Sequence, residues 1–330
     1  MKVCIYGAGA IGGFIGTLLA GAGRSTVSAV ARGTTLDSLR RHGWRLRQGG
    51  VLIQAPATAV ADPAELGAQD LVVIAVKGPA LADVARRIAP LLGASTIVLP
   101  AMNGVPWWFG QAAPAVGSAP LHSVDPGGDI AAAIPLPHVV GCVVHASTFT
   151  SEPGLVEHKM GSGLIVGEPA GGESARVQQL AELLAHAGFE AKVSADIRQD
   201  IWYKLWGNMT MNPVSAITGA SIDRVMADPL VLEFCSAAMR EAAAIGARIG
   251  CTIAQSPEDR HAVTRKLGSF KSSMQQDVEA GRAIELDAIV AVVREMAQRL
   301  DIATPNIDAL LGLTRLFGRV RGLYPDAPTA

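Results

Sequence analysis

The first nineteen residues constrain the fold more than any other stretch of the chain. A short apolar run at residues 3–6 leads directly into the glycine-rich segment 7–12, after which apolar residues recur at helical spacing. This order predicts a strand, a tight turn and a helix, the context in which G-x-G-x-x-G indicates dinucleotide binding. The start of such a helix presents N–H groups and a positive dipole end to a pyrophosphate.

Three glycines of this segment have separate predicted roles. Gly7 permits the sharp turn, Gly9 has no Cβ and lets the backbone approach a pyrophosphate, and Gly12 lets the helix pack close to its strand. The alternative is a glycine-rich turn in an unrelated α/β protein. The predicted cofactor contacts of the turn are its six residues, Gly7, Ala8, Gly9, Ala10, Ile11 and Gly12.

The residues after the second predicted strand indicate which dinucleotide is bound. This strand covers residues 26–31 and leads into Arg32, and no carboxylate follows before Asp37. An NAD site has Asp or Glu here for the ribose 2′-hydroxyl, whereas a guanidinium suits a 2′-phosphate. We therefore expect NADPH as the cofactor, with a solvated surface arginine as the alternative interpretation of Arg32.

Two further polar residues follow predicted buried strands. Lys77 comes after the apolar run 71–76, and Asn103 comes after a strand at residues 96–99. Because ligands bind at the carboxyl ends of parallel strands, both are candidate binding residues. A solvated loop lysine and a simple Asn-Gly turn are the alternatives.

Composition excludes several classes of protein. The chain has 330 residues, 49% of them hydrophobic, with a net charge of −1. There is no basic excess to bind nucleic acid, and no apolar stretch is long enough to span a membrane. The first residues lack the features of a signal peptide, and the four cysteines lack metal-site or disulfide spacing. We expect a cytoplasmic protein with buried free thiols and no metal.

Element patterns divide the chain into two predicted domains. Strands alternate with helices up to about residue 195, with later strands expected at residues 119–124, 139–146, 155–159 and 164–167. From residue 196 only helical patterns remain, and Asp228, Ser256 and Thr304 each precede a proline as candidate N-caps. The predicted fold class is α/β, with a Rossmann-type doubly wound sheet domain over residues 1–195 and an all-α domain over residues 196–330.

Two charged residues of the helical domain lie on stripes that are otherwise inward-facing. Lys204 shares a helix face with Asn208 and Asn212, and this helix is expected to end or kink at Pro213. Glu285 shares a stripe with apolar residues of a helix predicted over residues 284–300. Either both side chains reach solvent at helix ends, or they meet in a cleft between the domains, where desolvation would suit the lysine to act as a general acid.

These motifs resemble those of the ketopantoate reductase family (2-dehydropantoate 2-reductases). The resemblance is carried by the glycine turn, by Trp202-Tyr203-Lys204-Leu205-Trp206-Gly207-Asn208 with Asn212-Pro213, and by Ser272-Ser273-Met274-Gln275-Gln276-Asp277 followed by Gly281-Arg282 and Ile284-Glu285-Leu286-Asp287. It extends over nearly the whole chain and implies NADPH-dependent reduction of a 2-keto acid in pantothenate synthesis.

The resemblance also implies individual roles. Lys204 would protonate the carbonyl oxygen, and Glu285 would bind the terminal hydroxyl of the substrate and help to hold Lys204. The remaining assignments are Asn208 and Asn212 for substrate orientation, Ser273 for the substrate carboxylate, Asn103 for both cofactor and substrate, and Arg32 and Lys77 for the adenosine end and phosphates of NADPH.

Two segments depart from the family pattern and leave the substrate open. Residues 103–109 contain the aromatic cluster Trp107-Trp108-Phe109, which either lines the site or packs a loop onto the core, and residues 123–128 also diverge. Reduction of another 2-keto acid and a non-catalytic NADPH-binding regulator are therefore the alternatives. The expected partner is a small keto acid, and the apolar helical domain is compatible with a homodimer.

Overall fold

The computed structural model describes residues 1–326, which form two compact units. The first comprises residues 1–102 and 128–200, and the second comprises residues 103–127 and 201–326. Residues 103–127 therefore group with the helical part of the chain, although they lie within the predicted N-terminal domain. The domain boundary near residue 195 stays a prediction.

The first unit contains two five-stranded sheets. Its strands are β1 (Lys2–Tyr6), β2 (Thr26–Val30), β3 (Trp44–Gln48), β4 (Val51–Ala55), β5 (Thr58–Val60), β6 (Gln69–Ile74), β7 (Leu92–Pro100), β8 (Gly141–Glu152), β9 (Leu155–Gly167) and β10 (Glu190–Val193). Its helices are α1 (Ala10–Gly21), α2 (Gly33–His42), α3 (Leu81–Arg87), α4 (Asp129–Ala133) and α5 (Ala175–His186).

The first sheet is the predicted parallel one. Its order is β5-β2-β1-β6-β7, and every pairing within it is parallel. The apolar residues of β1 and β6 are fully buried, as expected for central strands covered on both faces. Helix α1 connects β1 to β2, so the strand–turn–helix prediction for the first nineteen residues is confirmed.

The second sheet is mixed. The strands expected at residues 139–146, 155–159 and 164–167 are confirmed as parts of β8 and β9, but their assembly into a separate sheet was not predicted. Its order is β10-β9-β3-β4, with β8 antiparallel to β9. The strand predicted at residues 119–124 is wrong, because those residues form turns. The backbone N–H groups of His122 and Ser123 donate to the Glu295 carboxylate, which replaces the strand partner they would otherwise need.

Helix α1 contacts strands of both sheets, and its glycines allow the close approach. A Cβ at Gly13 would lie 2.6 Å from Val156 Cγ2 on β9, and one at Gly16 would lie 2.6 Å from the indole ring of Trp44 on β3. On the same helix, Phe14 stacks on His158 and makes an edge contact with Phe189. The helix that begins at the glycine turn is therefore wedged tightly within its unit.

The second unit is helical, as predicted. Its helices are α6 (Ile197–Thr218, which begins in the first unit), α7 (Ile222–Ala227), α8 (Pro229–Arg248), α9 (Pro257–Arg265), α10 (Ser273–Glu279), α11 (Val292–Arg299) and α12 (Pro305–Val320), with a π-helical turn at Asp287–Ala291 before α11. Among residues 1–326 no helix is both long and apolar enough to cross a membrane.

Several local predictions for this unit are confirmed and others are wrong. Asp228 and Ser256 cap their helices with side-chain hydrogen bonds. Thr304 stands at the N-cap position, but its hydroxyl donates to Asp308 Oδ1 at 3.1 Å and caps no backbone N–H. Pro213 lies inside α6, and the helix does not end there but continues to Thr218, so it tolerates the loss of the one backbone hydrogen bond that proline cannot donate.

The four cysteines of the chain are buried and free, as expected. Burial raises the pKa of the Cys4 thiol to about 12.

We expect Gly16→Ala to destabilise the protein by about 1–3 kcal/mol, the usual cost of overpacking, because the new methyl would overlap the Trp44 ring. Gly21→Ala on the same helix is the matched control, since its Cβ would meet only Ile53 at 3.9 Å. Urea unfolding of the two variants measures the difference. Equal stability would show that the contact between α1 and β3 is not tight.

Candidate functional site

The glycine turn has the sharp geometry that its sequence predicts. Gly7 has φ +96° and donates its N–H to Val30 O at 3.0 Å, which ties the turn to β2. A Cβ at Gly12 would lie 2.0 Å from Gly7 O. No side chain fits at either position without moving the backbone, so helix and strand approach each other as closely as a dinucleotide turn requires.

The start of α1 is open to a ligand. Gly9 occupies the N-cap, no side chain caps the helix, and a Cβ placed on Gly9 would find nothing within 4 Å. The first N–H groups of a helix have no partner within it, so the amides of Ala10, Ile11 and Gly12 are oriented for an external acceptor. An anionic group in front of Gly9 would satisfy them.

A cleft of about 140 Å³ adjoins the turn in the first unit. It is lined by Tyr6, Gly7, Ala8, Gly9, Val30, Ala31, Arg32, Thr35, Val76, Asp83, Val84 and Arg87. Arg32 therefore lies where its position after β2 predicts, with its side chain 66% exposed and Nη1 3.2 Å from Asp83 Oδ2. Lys77, half-buried, follows the cleft residue Val76 but does not itself line the cleft.

Sequence reasoning missed four polar residues of this cleft: Tyr6, Thr35, Asp83 and Arg87. Tyr6 lies within an apolar strand, and the arginine and aspartate lie on an ordinary amphipathic helix, so no motif marks them. The cleft's charged residues are two arginines and one aspartate, which leaves a net positive charge. Open helix amides beside a positive cleft fit the phosphates and adenosine end of a nicotinamide dinucleotide.

The second unit brings Lys204 and Asn103 together. The ammonium of Lys204 on α6 donates to Asn103 Oδ1 at 2.9 Å, across 101 positions of the chain. Both residues are half-buried. The hydrogen bond fixes the position of an otherwise flexible cationic side chain, because one of the three ammonium donors is held by an amide.

The segment that carries Asn103 is fixed against the element that carries Glu285. Gly104 has φ +83°, and Val105 donates its N–H to Ala288 O at 2.8 Å, within the π-helical turn. Glu285, half-buried, lies two residues before that turn. The helix predicted over residues 284–300 begins at Leu286 with this π-helical turn, so Glu285 lies just before the helix and not on its apolar stripe.

A pair of charged residues on α11 holds the rest of this loop. The Glu295 carboxylate accepts from the backbone of His122 and Ser123, and Arg299 donates to Ala119 O at 2.8 Å and to Glu295 Oε1 at 2.6 Å. Burial raises the pKa of Glu295, but these hydrogen bonds outweigh it and lower the pKa below its usual value. The carboxylate thus stays ionised and fixes the loop.

The aromatic cluster of the same loop packs into the core. Trp107, Trp108 and Phe109 are each no more than 1% exposed, and Phe109 stacks on Trp202 of α6. Of the two interpretations drawn from the sequence, loop packing is the one that the structure supports. These bulky residues help to position the loop beside the helix that carries Lys204.

The other predicted substrate residues differ in exposure. Asn208 is half-buried and Asn212 is buried on α6, one and two helical turns beyond Lys204. Ser273 is exposed at the start of α10, whereas its neighbour Ser272 is buried, caps that helix and shares a hydrogen bond with Ser215. The roles of Asn208, Asn212 and Ser273 stay predictions.

A dinucleotide turn in one unit and a positioned lysine in a helical unit define a nicotinamide-dependent oxidoreductase. The family model described as ketopantoate reductase PanE/ApbA matches residues 3–171, and the model of its C-terminal region matches residues 196–317. The chain belongs to the ketopantoate reductase family.

Individual relatives agree with this assignment. A 2-dehydropantoate 2-reductase of Mesorhizobium japonicum is 43% identical, with 98% of this chain and 100% of the relative covered. A solved structure from Ralstonia solanacearum MolK2, described as a candidate ketopantoate reductase, is 53% identical with a TM-score of 0.93, and the match covers 98% of this chain and 99% of that one. A PanE/ApbA family ketopantoate reductase from Ralstonia eutropha JMP134 is 26% identical with a TM-score of 0.83, and the match covers 98% of this chain and 100% of that one.

Gly104→Ala is expected to lower stability by about 1–3 kcal/mol more than Gly250→Ala, the cost of forcing atoms into a packed site. Both glycines have nearly equal positive φ, +83° and +80°, but a Cβ at Gly104 would lie 2.3 Å from Ala288 O, whereas one at Gly250 meets nothing within 4 Å. Denaturant unfolding compares the variants. Equal losses would show that the loop is not held tightly against the π-turn.

Proposed function

We propose that the protein is an NADPH-dependent reductase that converts ketopantoate (2-dehydropantoate) to pantoate. Family membership supports the reaction, since a relative with 43% identity over the whole chain is named for it. The hydrogen bond between Lys204 and Asn103 is the observation that carries the mechanism, because it places a cation at a defined point of the helical unit.

The cofactor proposed is NADPH rather than NADH. The nicotinamide supplies the hydride for the keto carbon when it is bound. Support comes from the open amides at the start of α1 and from the two arginines of the cleft. The cleft's carboxylate, Asp83, is paired with Arg32 and with Arg86, so cations flank the acceptor that a ribose hydroxyl would use.

Lys204 is the proposed general acid. Reduction of a carbonyl adds a hydride to carbon and leaves negative charge on oxygen, which an ammonium stabilises and then neutralises by donating its proton. Asn103 accepts from the ammonium and can orient the remaining two N–H groups. The amide of Asn103 also carries N–H donors of its own, which suit a carboxylate or carbonyl of the substrate.

The remaining proposed roles follow the family resemblance. Glu285 would accept from the terminal hydroxyl of the substrate, and Asn208 and Asn212 would orient the substrate from the same helix as Lys204. Ser273 would donate to the substrate carboxylate. The anchoring of Val105 to Ala288 supports a common site for Asn103 and Glu285, because it ties the loop of one to the turn beside the other.

Ketopantoate is favoured over other 2-keto acids by the packing of the divergent loop. Its three large aromatic residues are buried in the core, so their bulk does not require a differently shaped substrate. The divergent segment 123–128 is likewise fixed, since Ser123 binds Glu295 and Asp125 is 1% exposed. A sensor without catalysis is disfavoured because it has no need of a positioned ammonium.

The decisive test of the function follows the absorbance of NADPH with purified protein and ketopantoate, then with a panel of other 2-keto acids. Turnover with ketopantoate at the highest kcat/KM is expected. Turnover only with another keto acid would support a paralogue of different specificity. Cofactor binding without any turnover would support the regulatory alternative.

Lys204→Ala is expected to lower kcat by about 10²-fold or more, the usual contribution of a general acid, while NADPH binding stays unchanged. Lys266→Ala is the control, because it removes the same charge from an exposed position of the helical unit. Steady-state kinetics and cofactor titration provide the two measurements. Normal turnover in Lys204→Ala would remove the lysine from the mechanism.

A further inference from the structure

We propose that Tyr6 and Arg87, together with Arg32, form the subsite that recognises the 2′-phosphate of the cofactor. The inference rests on the proposed function, since it specifies how that function selects NADPH. Tyr6 and Arg87 carry no motif, and the structure alone brings them to the cleft beside the glycine turn.

Tyr6 brings a buried hydroxyl to the cleft. The residue is 5% exposed, lines the cleft, and its hydroxyl is buried without a hydrogen bond to any residue in the range 1–326. A buried hydroxyl without a partner costs free energy, and a ligand that accepts its proton would recover that cost. Burial also raises the pKa of the phenol, so Tyr6 is a donor at neutral pH.

Arg87, on α3, supplies a second guanidinium to the cleft. It lies at the end of α3, its side chain is 34% exposed, and Nη2 donates to Ala61 O at 2.9 Å. Nη2 also lies 3.8 Å from Asp62 Oδ1, so both of these contacts fall on one nitrogen of the guanidinium. The donors of Nε and Nη1 suit a phosphate. Tyr6 and Arg87 line the same cleft, so one oxyanion bound there can face both groups.

The charge pattern favours a phosphate over a ribose hydroxyl. Asp83 is the one carboxylate of the cleft, and its two oxygens accept from Arg32 at 3.2 Å and from Arg86 at 3.1 Å. A sugar hydroxyl needs an available acceptor, whereas a phosphate needs donors and positive charge. Arg32 and Arg87 provide donors only, and Tyr6 can add the O–H of its phenol, so together they match an oxyanion.

The test uses two ligands that differ only in the 2′-phosphate, adenosine 2′,5′-bisphosphate and adenosine 5′-monophosphate. Calorimetric titration of the full chain gives the dissociation constant of each without requiring turnover. Arg87→Gln and Tyr6→Phe should each raise the dissociation constant of the bisphosphate by about tenfold, the scale of one hydrogen bond to a charged group. The dissociation constant of the monophosphate should change less than about threefold. Arg32→Ala should behave in the same way.

Arg41→Gln is the matched control, because it removes one exposed guanidinium of the same unit that does not line the cleft. It should leave the ratio of the two dissociation constants unchanged. Thermal unfolding of each variant without ligand shows whether weaker binding is caused by a loss of stability. Tyr6→Phe should be at least as stable as the wild type, since the lost hydroxyl makes no hydrogen bond in the described structure.

The outcomes separate this inference from the proposed function. If Tyr6→Phe or Arg87→Gln weakened the binding of both nucleotides equally, or weakened the binding of neither, the 2′-phosphate assignment would be overturned. A wild-type protein that does not prefer the bisphosphate would overturn it as well. Failure to reduce ketopantoate with intact discrimination between the nucleotides would instead count against the proposed reaction and leave the subsite standing.

Discussion

The hydrogen bond from Lys204 to Asn103 is the interaction on which the second unit depends for its proposed chemistry. An ammonium on a long side chain has little positional definition unless a partner holds it. Here the partner is itself held, because Val105 binds Ala288 and the loop beyond it binds Glu295 and Arg299. Backbone hydrogen bonds thus determine where one proton donor lies.

Prediction from sequence succeeded where one local pattern determines the structure. The glycine turn, the buried apolar strands and the capped helices α8 and α9 each follow from a few adjacent residues. Prediction failed where a distant partner decides. In strand β3, arginines alternate with apolar residues, and the partners of these arginines, Glu152 and Glu157, lie more than a hundred positions away in the chain. Residues 119–124 form turns because Glu295 takes their backbone donors.

The same distinction applies to the candidate site. Arg32 and Lys204 stand at positions that motifs mark, and the structure places the first in the cleft and the second against Asn103. Tyr6 belongs to the apolar run at residues 3–6, and nothing local in the sequence distinguishes it from a phenylalanine of the core. Arg87 is one of two arginines in the last turn of α3. Only the packing of α3 beside the glycine turn brings Tyr6 and Arg87 to the cleft, and residue spacing does not predict that packing.

The wedged position of α1 has a consequence for ligand affinity. Trp44 and Val156 pack directly against the glycines of this helix, so the helix cannot tilt or unwind readily. Its first amides therefore keep one orientation before any ligand binds. Binding then loses little conformational entropy at the phosphates, because that ordering is complete in the folded chain. The glycines that make the helix intrinsically weak thereby make its anion-binding end preorganised.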